Sequence, residues 1–154
     1  MTKLLFVCLG NICRSPAAEN MMNFLIDREG LTGQIICDSA GTAGYHVGAP
    51  PDRRMQVAGK ARGLAMVGSA RQLVPMDLRE FDLILAMDYS NYRDILSLDP
   101  QGKYHHKVKM MCSYCTKHPD REVPDPYYGG EAGFNFVLDL LADACENLLQ
   151  SLKN

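Results

Sequence analysis

Residues 3–16 read Lys-Leu-Leu-Phe-Val-Cys-Leu-Gly-Asn-Ile-Cys-Arg-Ser-Pro, and this stretch decides the fold. Residues 3–7 form a short apolar run that ends in a glycine-bearing turn, the pattern of a strand buried on both faces of a parallel sheet. Beyond the turn, Ala17, Ala18, Met21, Met22 and Leu25 recur at helical spacing behind Pro16. Proline is tolerated in a first helical turn because its missing N–H would have no partner there, and Ser15 is the expected N-cap. Glu19 falls one place too late to complete a capping box with Ser15.

Working outward, residues 34–37 predict a second strand, followed by Ser39-Ala40-Gly41-Thr42. Residues 52–62, closed by Gly63, predict a helix, and residues 81–86 a third strand. Asp88 is placed to cap a helix over 89–96, and residues 107–111 predict a weaker fourth strand. A last helix covers 134–152, apolar at 137, 138, 141, 145, 148, 149 and 152. No repeat or linker interrupts the chain. The alternation predicts an α/β fold over 1–154 as a single domain: an open, parallel, four-stranded sheet with helices on both faces, flavodoxin-like. In such sheets ligands bind beyond the carboxyl ends of the strands, and Cys8 lies at one of those ends.

Composition narrows the function. Hydrophobic residues make up 47% and charged residues 22%, values ordinary for a water-exposed globular chain. A formal charge of −2 argues against a general nucleic-acid binder, which carries a basic excess. The apolar run at 4–7 is too short for a signal-peptide core, and no stretch approaches a membrane span. The expected setting is therefore cytoplasmic and reducing. There the cysteines at 8, 13, 37, 112, 115 and 145 are buried apolar groups, ligands or reactive thiols, not a disulfide framework.

Cys8 and Arg14 bracket five residues (Leu9, Gly10, Asn11, Ile12 and Cys13) between a strand end and a helix start. So tight a loop can turn several backbone N–H groups toward one centre. With the positive helix end and Arg14 they form a cradle sized for a phosphate. Gly10 lets the backbone close around the anion, and Asn11 belongs to the few residue types that tolerate positive φ. Arg14 can grip two phosphate oxygens at once, as lysine cannot. The same positive surroundings favour the thiolate form of Cys8, and the Ser15 hydroxyl can donate to that sulfur. A thiolate displaces an aryloxide only if the departing oxygen is protonated. Asp125, in Val123-Pro124-Asp125-Pro126-Tyr127-Tyr128-Gly129-Gly130, is the candidate acid: taken alone an aspartate between prolines is more often a turn residue, but beside Cys-x5-Arg the balance reverses.

The run Cys8-Leu9-Gly10-Asn11-Ile12-Cys13-Arg14-Ser15-Pro16 resembles the signature loop of the low-molecular-weight protein tyrosine phosphatases. The resemblance continues through Ser39-Ala40-Gly41-Thr42, Pro51-Asp52, Ala70-Arg71-Gln72, Phe81-Asp82, Ala86-Met87-Asp88 and Asp125-Pro126-Tyr127-Tyr128. It implies hydrolysis of phosphotyrosine through a phosphocysteine on Cys8, with Arg14 binding phosphate and Asp125 as general acid and then base. It also implies that Asn11 and Ser15 organise the loop, that Asp88 orients Arg14, and that Ile12, Tyr45 and Tyr127, with Tyr128, line an aromatic slot. A reversible Cys8–Cys13 disulfide, tyrosine-phosphorylated proteins as partners and a monomeric or weakly self-associating chain are implied as well. Animal relatives place a histidine two residues before Ala-Arg-Gln, bonded to the loop asparagine and to the serine matching Ser39. Here that position is Gly68, which leaves the network short of a partner.

Two other activities share such a loop. Arsenate reduction needs further cysteines in a mobile mid-chain segment, and residues 73–100 contain none, leaving Cys112 and Cys115. Protein arginine phosphatases carry threonine where this chain has Ile12. Cys112-x2-Cys115-x2-His118, near His105 and His106, has a loose zinc-like spacing but no second cysteine pair to complete it. No cofactor or metal is called for, because the cradle itself supplies the positive charge. His46 is expected at a pocket rim or on the surface.

Overall fold

The computed structural model describes residues 1–153. Four strands, β1 (Thr2–Cys8), β2 (Ile35–Gly41), β3 (Leu83–Ala86) and β4 (Val108–Met110), form one parallel sheet in the order β2-β1-β3-β4. Five helices alternate with them: α1 (Arg14–Arg28), α2 (Arg53–Lys60), α3 (Pro75–Glu80), α4 (Tyr89–Ser97) and α5 (Glu131–Leu152). Strand β1 is central, with Leu4 opposite both Cys37 and Leu83, and Cys8 opposite Gly41.

The continuous apolar run of β1 is explained by its two covered faces. Leu4, Phe6 and Cys8 join a core with α1, α2 and α5, whereas Leu5 and Val7 join one with Leu78 of α3 and Ile95 of α4. Alternate residues of a strand point to opposite faces, so both parities must be apolar here. All four residues from Leu4 to Val7 are fully buried. Among the described residues, no helix is long and apolar enough to cross a membrane.

Several element boundaries differ from the sequence expectations. Strand β2 runs on through Ser39-Ala40-Gly41, because its pairing with β1 continues to Cys8. Helix α5 starts three residues early, at Glu131, and α3 was not anticipated. Helix α1 begins at Arg14 with Cys13 as N-cap, so Ser15 is not the cap; its hydroxyl is turned to Cys8 instead. Asp88 does cap α4, accepting from Asn91 N at 2.7 Å while Asn91 Oδ1 accepts from Asp88 N at 3.2 Å.

The chain leaves β1 to form β2 on one side and later returns to form β3 on the other. The carboxyl ends of β1 and β3 therefore flank the switch point, where an open α/β sheet leaves a crevice. Residues 9–13 fill its floor.

Candidate active site

The loop after β1 is held by its carbonyls. Those of Cys8 and Leu9 accept from Thr42 N and Ala43 N (both 2.9 Å), and that of Ile12 accepts from Asp52 N (2.7 Å). In a trans peptide the C=O and the following N–H point in opposite directions. Carbonyls tied outward therefore turn the N–H groups of Leu9, Gly10 and Cys13 inward, and the N-terminus of α1 adds its own. Asn11 completes the turn with φ +59°, the only positive value outside glycine among the described residues, and its N–H lies 3.3 Å from Cys8 Sγ.

Two glycines let neighbours approach this loop. A Cβ on Gly41 would sit 2.7 Å from the Leu9 carbonyl oxygen, closer than real contacts allow. A Cβ on Gly10 would sit 2.9 Å from the His46 ring, so Gly10 is explained by the ring resting on it and not by unusual backbone angles.

Cys8 Sγ is 3.0 Å from Ser15 Oγ. Ser15 Oγ in turn accepts from Asn11 Nδ2 at 2.8 Å, and the same nitrogen donates to Ser39 Oγ at 3.0 Å. Gly68 adds no side chain to this network; Ser39 donates its proton to Glu19 Oε1 at 2.6 Å. Arg14 is 2% exposed and is fixed by Asp88 Oδ2 (2.6 Å) and the Val123 carbonyl (2.9 Å). Burial alone would lower its pKa, but Cys8, Asp88 and Asp125 together raise it, so the guanidinium is a permanent cation. Its other terminal nitrogen is 3.5 Å from Asp125 Oδ2.

Asp125 stands over the loop, its second carboxylate oxygen accepting from Tyr127 N at 3.0 Å. A pocket of about 280 Å³ is lined by Cys8, Leu9, Gly10, Ile12, Cys13, Arg14, Tyr45, His46, Asp125, Tyr127 and Tyr128. Tyr127 stands edge-on to Tyr128, and the Arg54 guanidinium lies 5.2 Å from the Tyr127 ring and 4.8 Å from that of Phe134. Arg54 is itself forked onto Asp52. The site residues named from sequence thus meet in one crevice: Asn11 and Ser15 lie beneath the sulfur, and Asp88 lies behind Arg14. Sequence reasoning missed Glu19 and Arg54 and left His46 without a task. Only Glu19 left a trace, one helical turn after Ser15.

The thiols elsewhere differ in kind. Burial first, then Asp52, Cys8 and Asp125, pushes the Cys13 thiol far above its ordinary value. Burial raises Cys112 to about 11 and Cys115 to about 12. His118 Nδ1 bonds Asp143 at 3.0 Å, and among the described residues no three His, Cys, Asp or Glu side chains converge as metal ligands.

Fold and loop together define a class: α/β proteins that hold a thiol inside an oxyanion cradle at the switch point of a parallel sheet. The low molecular weight phosphotyrosine protein phosphatase family matches residues 3–154. A Synechocystis protein, itself provisionally named a low molecular weight protein-tyrosine-phosphatase, is 68% identical over 97% of this chain and 96% of its own. The crystal structure of a protein tyrosine phosphatase from Entamoeba histolytica superposes with a TM-score of 0.96 at 51% identity, covering 99% of this chain and 97% of the other. A Drosophila arginine phosphatase superposes at 0.92 with 33% identity and 99% coverage of each chain. The chain belongs to the low molecular weight phosphotyrosine protein phosphatase family.

Proposed function

We propose that the protein hydrolyses phosphotyrosine on protein substrates in two displacements at Cys8. In the first, the Cys8 thiolate attacks phosphorus, the P–O bond to the phenol breaks, and Asp125 delivers its proton to the departing oxygen. In the second, Asp125 takes a proton from water, the water oxygen bonds to phosphorus, and the P–S bond breaks to return the thiolate and release inorganic phosphate. Arg14 and the inward N–H groups hold the equatorial oxygens throughout, and Ser15 donates to the sulfur as it leaves.

The observation that carries this reading is that Cys8, Arg14 and Asp125 line one pocket. Ser15 lies 3.0 Å from Cys8 Sγ, and Asp125 lies beside Arg14 at 3.5 Å. Phosphotyrosine is favoured because Ile12, Tyr45 and Tyr127 give the pocket apolar walls against which a flat phenyl ring can pack. The Drosophila arginine phosphatase has the same fold, so the fold does not separate the two substrates; Ile12 is the residue set against phosphoarginine. A reducing, cytoplasmic setting agrees with six free thiols, and the chain is proposed to act as a monomer or weak self-associate without nucleic acid.

The test compares kcat/KM for phosphotyrosine, phosphoserine and phosphoarginine peptides, with arsenate reduction assayed alongside. The expected result is a phosphotyrosine preference over phosphoserine of at least about a hundredfold, the scale a discriminating pocket supplies. A ratio near one, or faster phosphoarginine hydrolysis, sinks the assignment.

A further inference from the structure

We infer that Glu19 is a positioning residue for the second chemical step, fixing the direction of a hydrogen-bond chain that ends on Cys8. This rests on the phosphocysteine reading above and assigns a role to a side chain that touches neither the pocket nor the loop.

The chain is Glu19–Ser39–Asn11–Ser15–Cys8, with donor–acceptor distances of 2.6, 3.0, 2.8 and 3.0 Å. Its two members on α1, Ser15 and Glu19, are four residues apart, one helical turn, and so share a face. Ser39 on β2 and Asn11 in the loop close the ring between them. Each proton in it can be assigned. The Arg71 backbone N–H points at Asn11 Oδ1 at 3.0 Å, so that atom must be the amide oxygen. Asn11 Nδ2 therefore donates both its protons, one to Ser15 and one to Ser39.

Ser39 is then an acceptor from Asn11, and its own proton needs a separate acceptor. Ser39 is only 6% exposed, so water is not at hand, and the Glu19 carboxylate takes the proton at charge-assisted length. Without that carboxylate the Ser39 hydroxyl would compete with the Asn11 amide, proton against proton. Rotating the amide to relieve this would bring its NH₂ against Arg71 N–H and its oxygen toward Ser15. Ser15 would then spend its proton on Asn11 instead of on Cys8. The sulfur needs that proton most when it departs from phosphorus, which places the effect on phosphoenzyme breakdown.

Gly68, with nothing within 4 Å of where its Cβ would lie, offers no alternative acceptor. With Cys13 as the N-cap, Glu19 lies beyond the capping-box position, and its side chain accepts from Ser39 instead.

The experiment measures 4-nitrophenyl phosphate turnover and, by rapid acid quench, the fraction of enzyme held as phosphocysteine. Turnover divided by that fraction is the breakdown constant. Glu19→Met should lower it about tenfold and raise the phosphoenzyme fraction, while the inhibition constant for inorganic phosphate stays within about twofold; tenfold corresponds to ~1.4 kcal/mol at the barrier. Glu19→Gln, whose amide oxygen still accepts, should recover at least half of the loss. In a Ser39→Ala background, Glu19→Met should add nothing, because the link is already cut. If Glu19→Met fails to fold, Ser39→Ala alone must show the breakdown defect. An unchanged breakdown constant, or a Glu19 effect that persists without Ser39, overturns the proposal. Absence of any phosphoenzyme in the wild type overturns the phosphocysteine reading as well, and so separates the two failures.

Discussion

In the proposed mechanism Asp125 and Cys8 divide the chemistry, and the role of Asp125 makes a demand on the leaving group that kinetics can read. Asp125→Ala should slow phenyl phosphate by ~10²–10⁴-fold but an aryl phosphate with a strongly acidic phenol far less, since only a basic leaving oxygen needs the proton. Equal losses across a leaving-group series would remove Asp125 from the role. Cys13 poses a different question, because it shares the loop with Cys8 and is buried at 4% exposure. Burial and its anionic neighbours hold it as the thiol, so it should capture an oxidised Cys8 slowly. We expect peroxide to inactivate the enzyme, phosphate to protect it, and thiol reductant to restore it. Cys13→Ser should leave initial turnover nearly intact while making the loss harder to reverse; mass mapping that found Cys8 joined to Cys112 would refute this pairing.

At the level of elements, the segment between β4 and α5 hangs on one carboxylate. Asp143 of α5, nearly inaccessible, accepts from the N–H groups of Thr116, Lys117 and His118 and from the His118 ring. Burial pushes its pKa up, but these hydrogen bonds outweigh burial and hold it well below the ordinary carboxylate range. A depressed folded-state pKa adds stability above the unfolded value, about 3.9, and that stability is lost as pH falls through the lower folded value. Asp143→Asn should therefore cost at least ~5 °C in Tm near pH 6, a gap that narrows below about pH 4. A constant gap across that range would assign the loss to packing.

What was legible in the sequence follows from the same local physics. Strand β1, α1 and α5 were visible because their apolar patterns are long or doubly covered, and the Asp88 cap because its partner is three residues away. Helix α3 has six residues, too few for periodicity to register, and is set by Pro75 and by Asp77 accepting from Val74 N. Ser15 was misassigned as a cap because its hydroxyl is claimed by residues four and seven positions away, Asn11 and Cys8. Gly10 reads from the sequence as closing the loop and Gly41 carries no local signal, whereas the structure sets them against the His46 ring and the Leu9 carbonyl.

Across the whole molecule, the site lies where β1 and β3 end, so occupying it should stabilise the entire fold. Phosphate at a hundred times its dissociation constant adds about 2.7 kcal/mol, or roughly 5–10 °C in Tm for a chain of this size. Cys8→Ser should keep that shift while abolishing turnover. Arg14→Lys should lose most of it, because the fork and its bond to Asp88 go together. A shift retained in Arg14→Lys would mean that the backbone alone holds the anion.

The outward-tied carbonyls of Cys8, Leu9 and Ile12 have a consequence for how such an enzyme diversifies. An amide hydrogen is the same whatever side chain its residue carries, so the share of phosphate affinity that the cradle adds to that of Arg14 is stored in backbone conformation. Leu9 and Ile12 are thereby free to vary, since both line the pocket while the inward N–H groups of Leu9, Gly10 and Cys13 are set by carbonyls tied outside it. Selection on those two positions can retune which molecule carries the phosphate without rebuilding the machinery that removes it. A small library at Leu9 and Ile12 should yield variants whose substrate ranking changes by orders of magnitude while inhibition by free phosphate stays nearly constant.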